Sequence, residues 1–168
     1  NAGRSTDEIT IASTYQAALH LTGNLTAASS TTLSYPAYAG GTGTNIDPYQ
    51  ITEWEHLYNV SINLNAYFKL MNDLDENTAG YATYASSTAN SNAGWMPLGS
   101  SSQPFAGVFD GDGHLIKGLR INRAAQSDIG LFGVVQGATA SVHDVYLENA
   151  QVVAQGNRGN QGIDGVQL

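Results

Sequence analysis

The stretch from Gly94 to Ile121 constrains the fold of this chain more than any other. Its centre, residues 109–114, reads Phe-Asp-Gly-Asp-Gly-His. Phe105 and Phe109 fall on the same side of an alternating pattern, which predicts a strand with its aromatic rings on one face. The two Asp-Gly pairs that follow favour a tight turn that reverses the chain before a second strand begins at His114.

The apolar spacing of this second strand returns later in the chain. Its residues have the pattern xIxxLxI, and the same pattern recurs in SVHDVYL. The two copies are Ile116, Leu119, Ile121 and Val142, Val145, Leu147, in that order. The segment from Ile129 to Val135 has a weaker echo at residues 162–166. Internal repeats built from short strands and glycine turns are typical of solenoids. The sequence therefore predicts a mainly β fold, a right-handed parallel β-solenoid (β-helix) with one short α-helix.

Three segments of this region resemble a known family. PFAGVFDGDGHLIKGLRI, IGLFGVV and VHDVYLENAQVV are similar to the GLUG-repeat family of bacterial and archaeal surface proteins and adhesins. The preceding GGTGTNIDPYQITEWEHLYNVSINLNAYFKLMNDLD is similar to the segment that often leads into such repeats, so the resemblance covers residues 40–153. It implies an extracellular protein of the cell surface without enzymatic activity, in which the FDGDGH motif is a tight turn.

A break in the pattern divides the chain into two parts. Residues 35–43 are rich in proline and glycine, which interrupt strand pairing. Residues 1–39 are expected to form N-terminal strands, either the first coils or an arm that pairs elsewhere, and residues 40–168 the repeat-bearing part. A helix is predicted near residues 52–64, because Thr52 and Glu55 have the spacing of a capping box. Residues 77–94 are aperiodic and predict a long surface loop.

The charge balance excludes several classes of partner. The chain has 6 basic and 14 acidic residues, a net charge of -8, and no cysteine. Such a chain repels nucleic acid and anionic membrane surfaces, and it has no thiols for disulfides or metal binding. It also has no run of about 20 apolar residues. We therefore expect no nucleic-acid partner and no membrane insertion. Because the first residue is Asn, either a leader has been removed or the sequence is a fragment.

The turn motif contains the only candidate metal ligands. Asp110 and Asp112 offer the carboxylate oxygens that Ca²⁺ prefers. The other acidic ligands of an EF-hand loop are absent from the sequence that follows. A turn is the preferred interpretation, with Ca²⁺ as the alternative, and no metal ion or other cofactor is expected.

No catalytic residues are predicted. Asp73 and Asp75 resemble the paired carboxylates of a glycosidase, and Lys117, Arg120 and Arg123 resemble the bases of a polysaccharide lyase. Nothing else in the sequence marks a cleft around either group. We expect solvated charges, with the three bases paired to the aspartates of the turn or to Asp128. A polysaccharide-binding or polysaccharide-cleaving enzyme on a β-helix is the alternative.

Four tyrosines lie outside the apolar pattern, and two interpretations of them remain open. They either cover the flank of the fold or present rings for sugar stacking and protein contact. These residues are Tyr35, Tyr38, Tyr81 and Tyr84.

The repeat pattern also predicts the interior and the ends. The predicted interior residues are Phe105, Phe109, Ile116, Leu119, Ile121, Leu131, Val142, Val145 and Leu147. A stack of strands ends in unpaired backbone, which must be capped or must meet another chain. We expect head-to-tail contacts between copies, or contacts with other surface proteins or glycans. The predicted contact residues are Ile9, Ile11, Leu19 and Leu21 at one end and Ile163 and Val166 at the other. The predicted function is therefore a surface adhesin segment or a self-assembling filament subunit.

Overall fold

A computed structural model describes residues 37–124 and 126–153, which belong to one unit with a shared core. Its helices are α1 (Trp54–Asn59), α2 (Tyr81–Tyr84), α3 (Ala89–Asn92) and a 3-10 helix (Val60–Ile62). Its strands are β1 (Tyr49–Ile51), β2 (Tyr67–Leu70), β3 (Val108–Asp110), β4 (Leu115–Lys117), β5 (Arg120–Asn122), β6 (Ser141–His143), β7 (Tyr146–Glu148) and β8 (Gln151–Val153).

The strands pair in parallel in three small sheets. The first has the order β1-β2-β3-β6, and the other two consist of the pairs β4-β7 and β5-β8. Strands that follow one another along the chain, such as β3, β4 and β5, therefore lie in different sheets. Each sheet is extended by a strand that comes later in the sequence.

The predicted fold class, a mainly β right-handed parallel β-solenoid with one short α-helix, is wrong. The described residues instead form a mixed fold, with short helical segments and strands of three or four residues in three small sheets. α3 is irregular, because Asn90 and Ser91 within it have left-handed backbone angles. The predicted loop at residues 77–94 contributes α2 and α3. The strands are short because the residue after a strand can adopt the left-handed backbone conformation, which ends the extended segment. Gly118 after β4 and Asn149 after β7 both have a positive φ angle.

The Asp-Gly motif changes the direction of the chain between sheets and does not form a hairpin. β3 pairs with β2 and β6, whereas β4 pairs with β7, so the predicted chain reversal is wrong. The corner is held locally, since Asp110 Oδ1 accepts a hydrogen bond of 2.8 Å from the Asp112 N–H. Gly111 allows close contact, because a Cβ there would lie 2.3 Å from the Asp144 carbonyl oxygen.

The two copies of the apolar pattern pair with each other, but the spacing between them differs from the prediction. The prediction matched Ile116 to Val142. Ile116 pairs instead with Leu147, and Ile121 pairs with Val152. Val142 pairs with Phe109, which precedes the predicted partner in the sequence. The apolar residues of the two copies are register partners in parallel ladders, so each lies beside its counterpart on the same face of the sheet.

The core prediction is largely confirmed. Seven of the nine predicted interior residues are buried, and Val142 and Leu147 are partly buried. The core also contains Trp54 and Trp95, whose ring nitrogens donate to the carbonyl oxygens of Asp75 at 2.9 Å and Leu131 at 3.0 Å. The indole rings thus bury apolar surface without leaving their polar atoms unsatisfied.

The predicted helix forms, but its capping box does not. α1 begins at Trp54, and no side chain caps its first turn. The Trp54 N–H donates to the Ala79 carbonyl at 3.1 Å, so the loop before α2 satisfies this amide. The Thr52 hydroxyl lies 3.2 Å from His56 Nδ1. The 3-10 helix continues α1 to Ile62, within the predicted range.

Candidate functional site

The last three strands form an open edge of the described fold. β6, β7 and β8, which we call the terminal layer, each pair with an earlier strand on one side only within residues 37–124 and 126–153. The strands that precede them are bridged on both sides. β4 meets Leu74 on its far edge, and β5 meets Gly94. Unpaired strand edges present free N–H and C=O groups that can pair with another chain.

The apolar side chains of the terminal layer are more exposed than their register partners in β3, β4 and β5. Ile121 of β5 is 1% exposed, whereas its register partner Val152 of β8 is 42% exposed. Phe109 and Ile116 are fully buried, and their partners in β6 and β7 are partly buried. Four of the large exposed apolar side chains lie in the terminal layer or just before it. These are Val135, Tyr146, Val152 and Val153.

The opposite end of the first sheet is covered. Gly40 bridges Gln50 of β1 in antiparallel fashion, with the Gln50 N–H donating to the Gly40 carbonyl at 2.9 Å. The Tyr38 ring stacks on the Tyr49 ring with centroids 4.1 Å apart, and the Tyr38 hydroxyl donates to the Asn59 carbonyl at 2.7 Å. The two ends therefore differ, since the first strand has a cap and the terminal layer has an open edge among the described residues.

A cluster of charged side chains lies at the corner between the first sheet and the next. Lys69, Asp110 and His143 are register partners on β2, β3 and β6. Lys69 Nζ lies 3.1 Å from Asp112 Oδ2 and 4.0 Å from Asp110 Oδ2. The Asp112 carboxylate accordingly raises the pKa of Lys69. His143 Nδ1 lies 3.0 Å from Asp144 Oδ2 and 3.6 Å from Asp110 Oδ1.

The two predicted metal ligands, Asp110 and Asp112, have different neighbours in this cluster. Asp110, His143 and Asp144 each place one potential ligand atom within 4.8 Å of the others. Asp112 pairs instead with the Lys69 ammonium, which supplies a positive charge to this corner. The histidine and Asp144 were not foreseen, because the sequence prediction considered the turn without its neighbouring strand. The absence of a bound metal ion stays a prediction.

The two carboxylates proposed for glycosidase chemistry are engaged separately. Asp73 Oδ1 accepts the Leu115 N–H at 3.0 Å and contacts His114, and Asp75 Oδ1 accepts the N–H groups of Asn77 and Thr78. These backbone hydrogen bonds lower the pKa of both carboxyl groups. A glycosidase requires one carboxyl group with a raised pKa as proton donor, and neither aspartate fits that role.

The predicted partners of the three bases are wrong. Lys117 pairs with Asp73 at 3.5 Å, and Arg120 pairs with Glu76 at 3.7 Å. Arg123 is buried, and its Nε donates to the Trp95 carbonyl at 2.8 Å. These side chains hold separate segments together and do not converge on one point.

Three of the four tyrosines cover the flank of the core. Tyr38 is buried, and the partly buried Tyr81 and Tyr84 of α2 pack their rings against Trp54 and Tyr58. The interpretation as flank covering is therefore confirmed for these three residues. Tyr35 lies outside the described residues.

The predicted assembly residues all lie outside the described part of the chain. They are Ile9, Ile11, Leu19, Leu21, Ile163 and Val166. The terminal layer itself was missed as a surface, because the predicted spacing of the repeat placed Val142 and Leu147 in the interior. The alignment of LIKGLRIN with YLENAQVV, which matches Ile116 to Leu147, is the sequence signal that finds it.

Comparison with known proteins gives two similar regions in much longer proteins. A Gly-rich membrane protein of Evansella cellulosilytica is 34% identical over 121 residues, which cover 71% of this chain and 13% of that protein. Halomucin of Haloquadratum walsbyi is 34% identical over 118 residues, which cover 67% of this chain and 1% of that protein. No protein-family model and no solved structure matches the chain.

The helices of the described residues are all short. None in residues 37–124 and 126–153 has the length and apolar character needed to cross a membrane.

Proposed function

We propose that the chain is a non-enzymatic structural module of an extracellular surface protein, acting as an adhesin segment or as a subunit of a self-assembling surface filament. The observation that carries this proposal is that, within residues 37–124 and 126–153, the first sheet has a cap whereas the strands of the terminal layer pair on one side only. An open apolar edge favours association with further protein, and a module with such an edge is suited to extended assemblies.

The similar proteins support the coarser part of this proposal. One is named a Gly-rich membrane protein and the other Halomucin, and both names point to a surface or extracellular role. The chain spans only a small fraction of each, as expected for a structural module that is used inside long surface proteins. The resemblance to the GLUG-repeat family would fit this role, and membership of that family stays a prediction.

Binding of neutral polysaccharide is the second candidate function. A surface depression of about 370 Å³ is lined by two segments, one from Met96 to Ser101 and the other from Gln126 to Asp128. Met96 provides an apolar surface there, and Ser100, Ser127 and Asp128 provide hydroxyl and carboxylate groups. Gln126 Oε1 accepts a hydrogen bond from Arg123 Nη1 at 3.3 Å, which orients its amide group at the rim. Polar groups beside an apolar surface are the usual chemistry of sugar recognition.

Labelling of intact cells of the source organism tests the proposed location and role. An antibody against the purified chain, read out with gold particles by electron microscopy, is expected to label the cell exterior, on filaments or on a surface coat. Labelling confined to the cell interior would overturn the proposal. In parallel, the purified chain is incubated with a panel of neutral and acidic polysaccharides, and release of reducing ends would establish the enzymatic alternative instead.

A further inference from the structure

The surface depression has two walls that are far apart in the sequence. The first wall is the segment from Met96 to Ser101, which precedes β3, and the second is the segment from Gln126 to Asp128, which follows β5. Its volume of about 370 Å³ lies within the range of small-ligand sites in proteins. It can therefore hold a short stretch of a glycan chain.

The Arg123 side chain ties the two walls together. Arg123 is 8% exposed, and its Nε donates to the Trp95 carbonyl at 2.8 Å, directly before the first wall. Its Nη1 donates to Gln126 Oε1 at 3.3 Å in the second wall, and the Gln126 N–H donates to the Arg123 carbonyl at 3.0 Å. Because both walls bind the same planar guanidinium group, their separation is fixed at this point.

Gly133 marks a second point at which the two walls meet. A Cβ there would lie 2.5 Å from the Gly99 carbonyl oxygen of the first wall and 2.7 Å from the Asp128 carbonyl oxygen of the second. A side chain at this position would push the walls apart. The Gly133 N–H also donates to the Leu98 carbonyl at 2.8 Å. The fold itself therefore shapes the depression, and a ligand would bind there with little loss of conformational freedom.

The two walls present an apolar surface beside hydrogen-bonding groups. Met96 is 42% exposed, and Pro97 lies next to it in the lining. A pyranose ring has a face of C–H groups and an edge of hydroxyl groups, so its two kinds of surface match the two parts of the lining. The polar groups of the lining include the side chains of Ser100, Ser101, Ser127 and Asp128.

The Asp128 carboxylate determines which charge the depression accepts. Among the described residues that line it, Asp128 is the only one with a charged side chain. Ser127 Oγ donates to Asp128 Oδ2 at 3.4 Å, and the two carboxylate oxygens together can accept further hydrogen bonds from a ligand. A carboxylate accepts hydrogen bonds from neighbouring hydroxyl groups and repels the acidic groups of a charged glycan. The net charge of -8 on the chain adds to this repulsion.

We infer that this depression binds a neutral glycan chain and that Asp128 selects against acidic glycans. Met96 and Pro97 contact the apolar face of a sugar ring, and Ser127 and Asp128 form hydrogen bonds with its hydroxyl groups. The inference rests on the second candidate function, polysaccharide binding. It adds to that function the residue that determines the selectivity for charge.

A glycan array tests the inference with the whole chain and three variants. The array carries neutral hexasaccharides of glucose, mannose and galactose, and hexagalacturonate is the acidic probe. Met96→Asp places a charge on the apolar surface. Met71→Asp is the matched control, because Met71 is 41% exposed and lies outside the lining. Asp128→Asn removes the charge, and Asn tolerates the left-handed backbone at this position, where φ is 59°.

The wild type and Met71→Asp are expected to bind at least one neutral hexasaccharide, and to bind hexagalacturonate about tenfold more weakly or not at all. Met96→Asp is expected to weaken neutral binding by about tenfold, because the sugar face would then cover a charge. Asp128→Asn is expected to weaken neutral binding and to reduce the discrimination against hexagalacturonate by about threefold or more. Thermal melts of the variants confirm that each is folded.

The outcomes separate the site from the function. Neutral binding that is equal in Met96→Asp and Met71→Asp would overturn the assigned site and leave polysaccharide binding standing. An Asp128→Asn variant with the discrimination of the wild type, or a wild type that prefers hexagalacturonate, would overturn the role of Asp128. A chain that binds no glycan on the array would overturn both the inference and polysaccharide binding, whereas the surface location is tested by the gold labelling of intact cells.

Discussion

Ile121 and Val152 are register partners in the β5-β8 ladder, and Val152 is 42% exposed whereas Ile121 is 1% exposed. Both side chains lie on the same face of the ladder. The difference arises because β5 has Gly94 on its far edge, while β8 has no strand on its far edge within the described residues. This end of the described fold therefore combines apolar surface with free backbone groups.

Leu119→Ala is expected to lower the free energy of unfolding by about 2–5 kcal/mol, because the fully buried side chain would leave a cavity. A urea titration followed by tryptophan fluorescence measures the change. Ile62→Ala is the control, since Ile62 is 65% exposed, and it is expected to change the stability by less than about 0.5 kcal/mol. Equal stability of the two variants would show that Leu119 is not part of the packed interior.

Tyr38→Phe is expected to cost about 1 kcal/mol, because the phenol donates to the Asn59 carbonyl at 2.7 Å and the ring itself is retained. Tyr38→Ala should cost more, since it also removes the ring that stacks on Tyr49. Thermal unfolding of the two variants beside the wild type gives this order. A Tyr38→Ala variant as stable as the wild type would contradict the assignment of Tyr38 as the cap.

Removal of calcium is expected to leave the melting temperature unchanged. The Lys69 ammonium already lies 3.1 Å from Asp112, so one of the predicted calcium ligands has a cationic partner from the protein. The measurement is a thermal melt with and without EGTA. A fall in melting temperature that added Ca²⁺ reverses would contradict this prediction and would show that the folded protein binds the ion.

Asp73→Asn is expected to destabilise the protein at neutral pH and to have a smaller effect in acid. The Leu115 N–H, His114 and Lys117 lower the pKa of Asp73 in the folded state, so folding favours the ionised form. This stabilisation is fully present above the ordinary pKa of 3.8 and is lost as the pH falls through the lower value of the folded protein.

Urea titrations of the wild type and the Asp73→Asn variant at pH 7, 5 and 3 measure this dependence. The difference in stability should be largest at the two higher pH values and smaller at pH 3. Glu148→Gln serves as the control, since Glu148 is exposed on β7. A difference that is the same at all three pH values would contradict the role assigned to the Asp73 carboxylate.

The sequence predicted the interior better than the architecture. Residues such as Phe109, Leu119 and Ile121 have a spacing that marks them as apolar and inward-facing, and they are buried. The mixed architecture was missed because residues 77–94 are polar and aperiodic, while their two short helices are held by tertiary contacts. Tyr81 of α2, for example, packs against Trp54 and donates to the Gly118 carbonyl at 2.9 Å.

The candidate site was harder to predict than the core. The predicted repeat matched Val142 to Ile116, although parallel pairing places Val142 beside Phe109. A local apolar pattern repeats at several offsets, and only the backbone pairing selects one of them. The open edge at β8 becomes visible only after this register is known, as does the approach of His143 to Asp110.

Amide hydrogen exchange of the intact chain at low and high protein concentration measures association at the terminal layer, because pairing with another chain protects the N–H groups of an open strand edge. If the chain is a self-assembling subunit, amides of β6, β7 and β8 are expected to exchange more slowly at high concentration, whereas those of β2 and β3 are expected to exchange at the same rate at both concentrations. Amides of the terminal layer that exchange at the same rate at both concentrations, in a chain that remains monomeric, would contradict the proposed role as a self-assembling subunit.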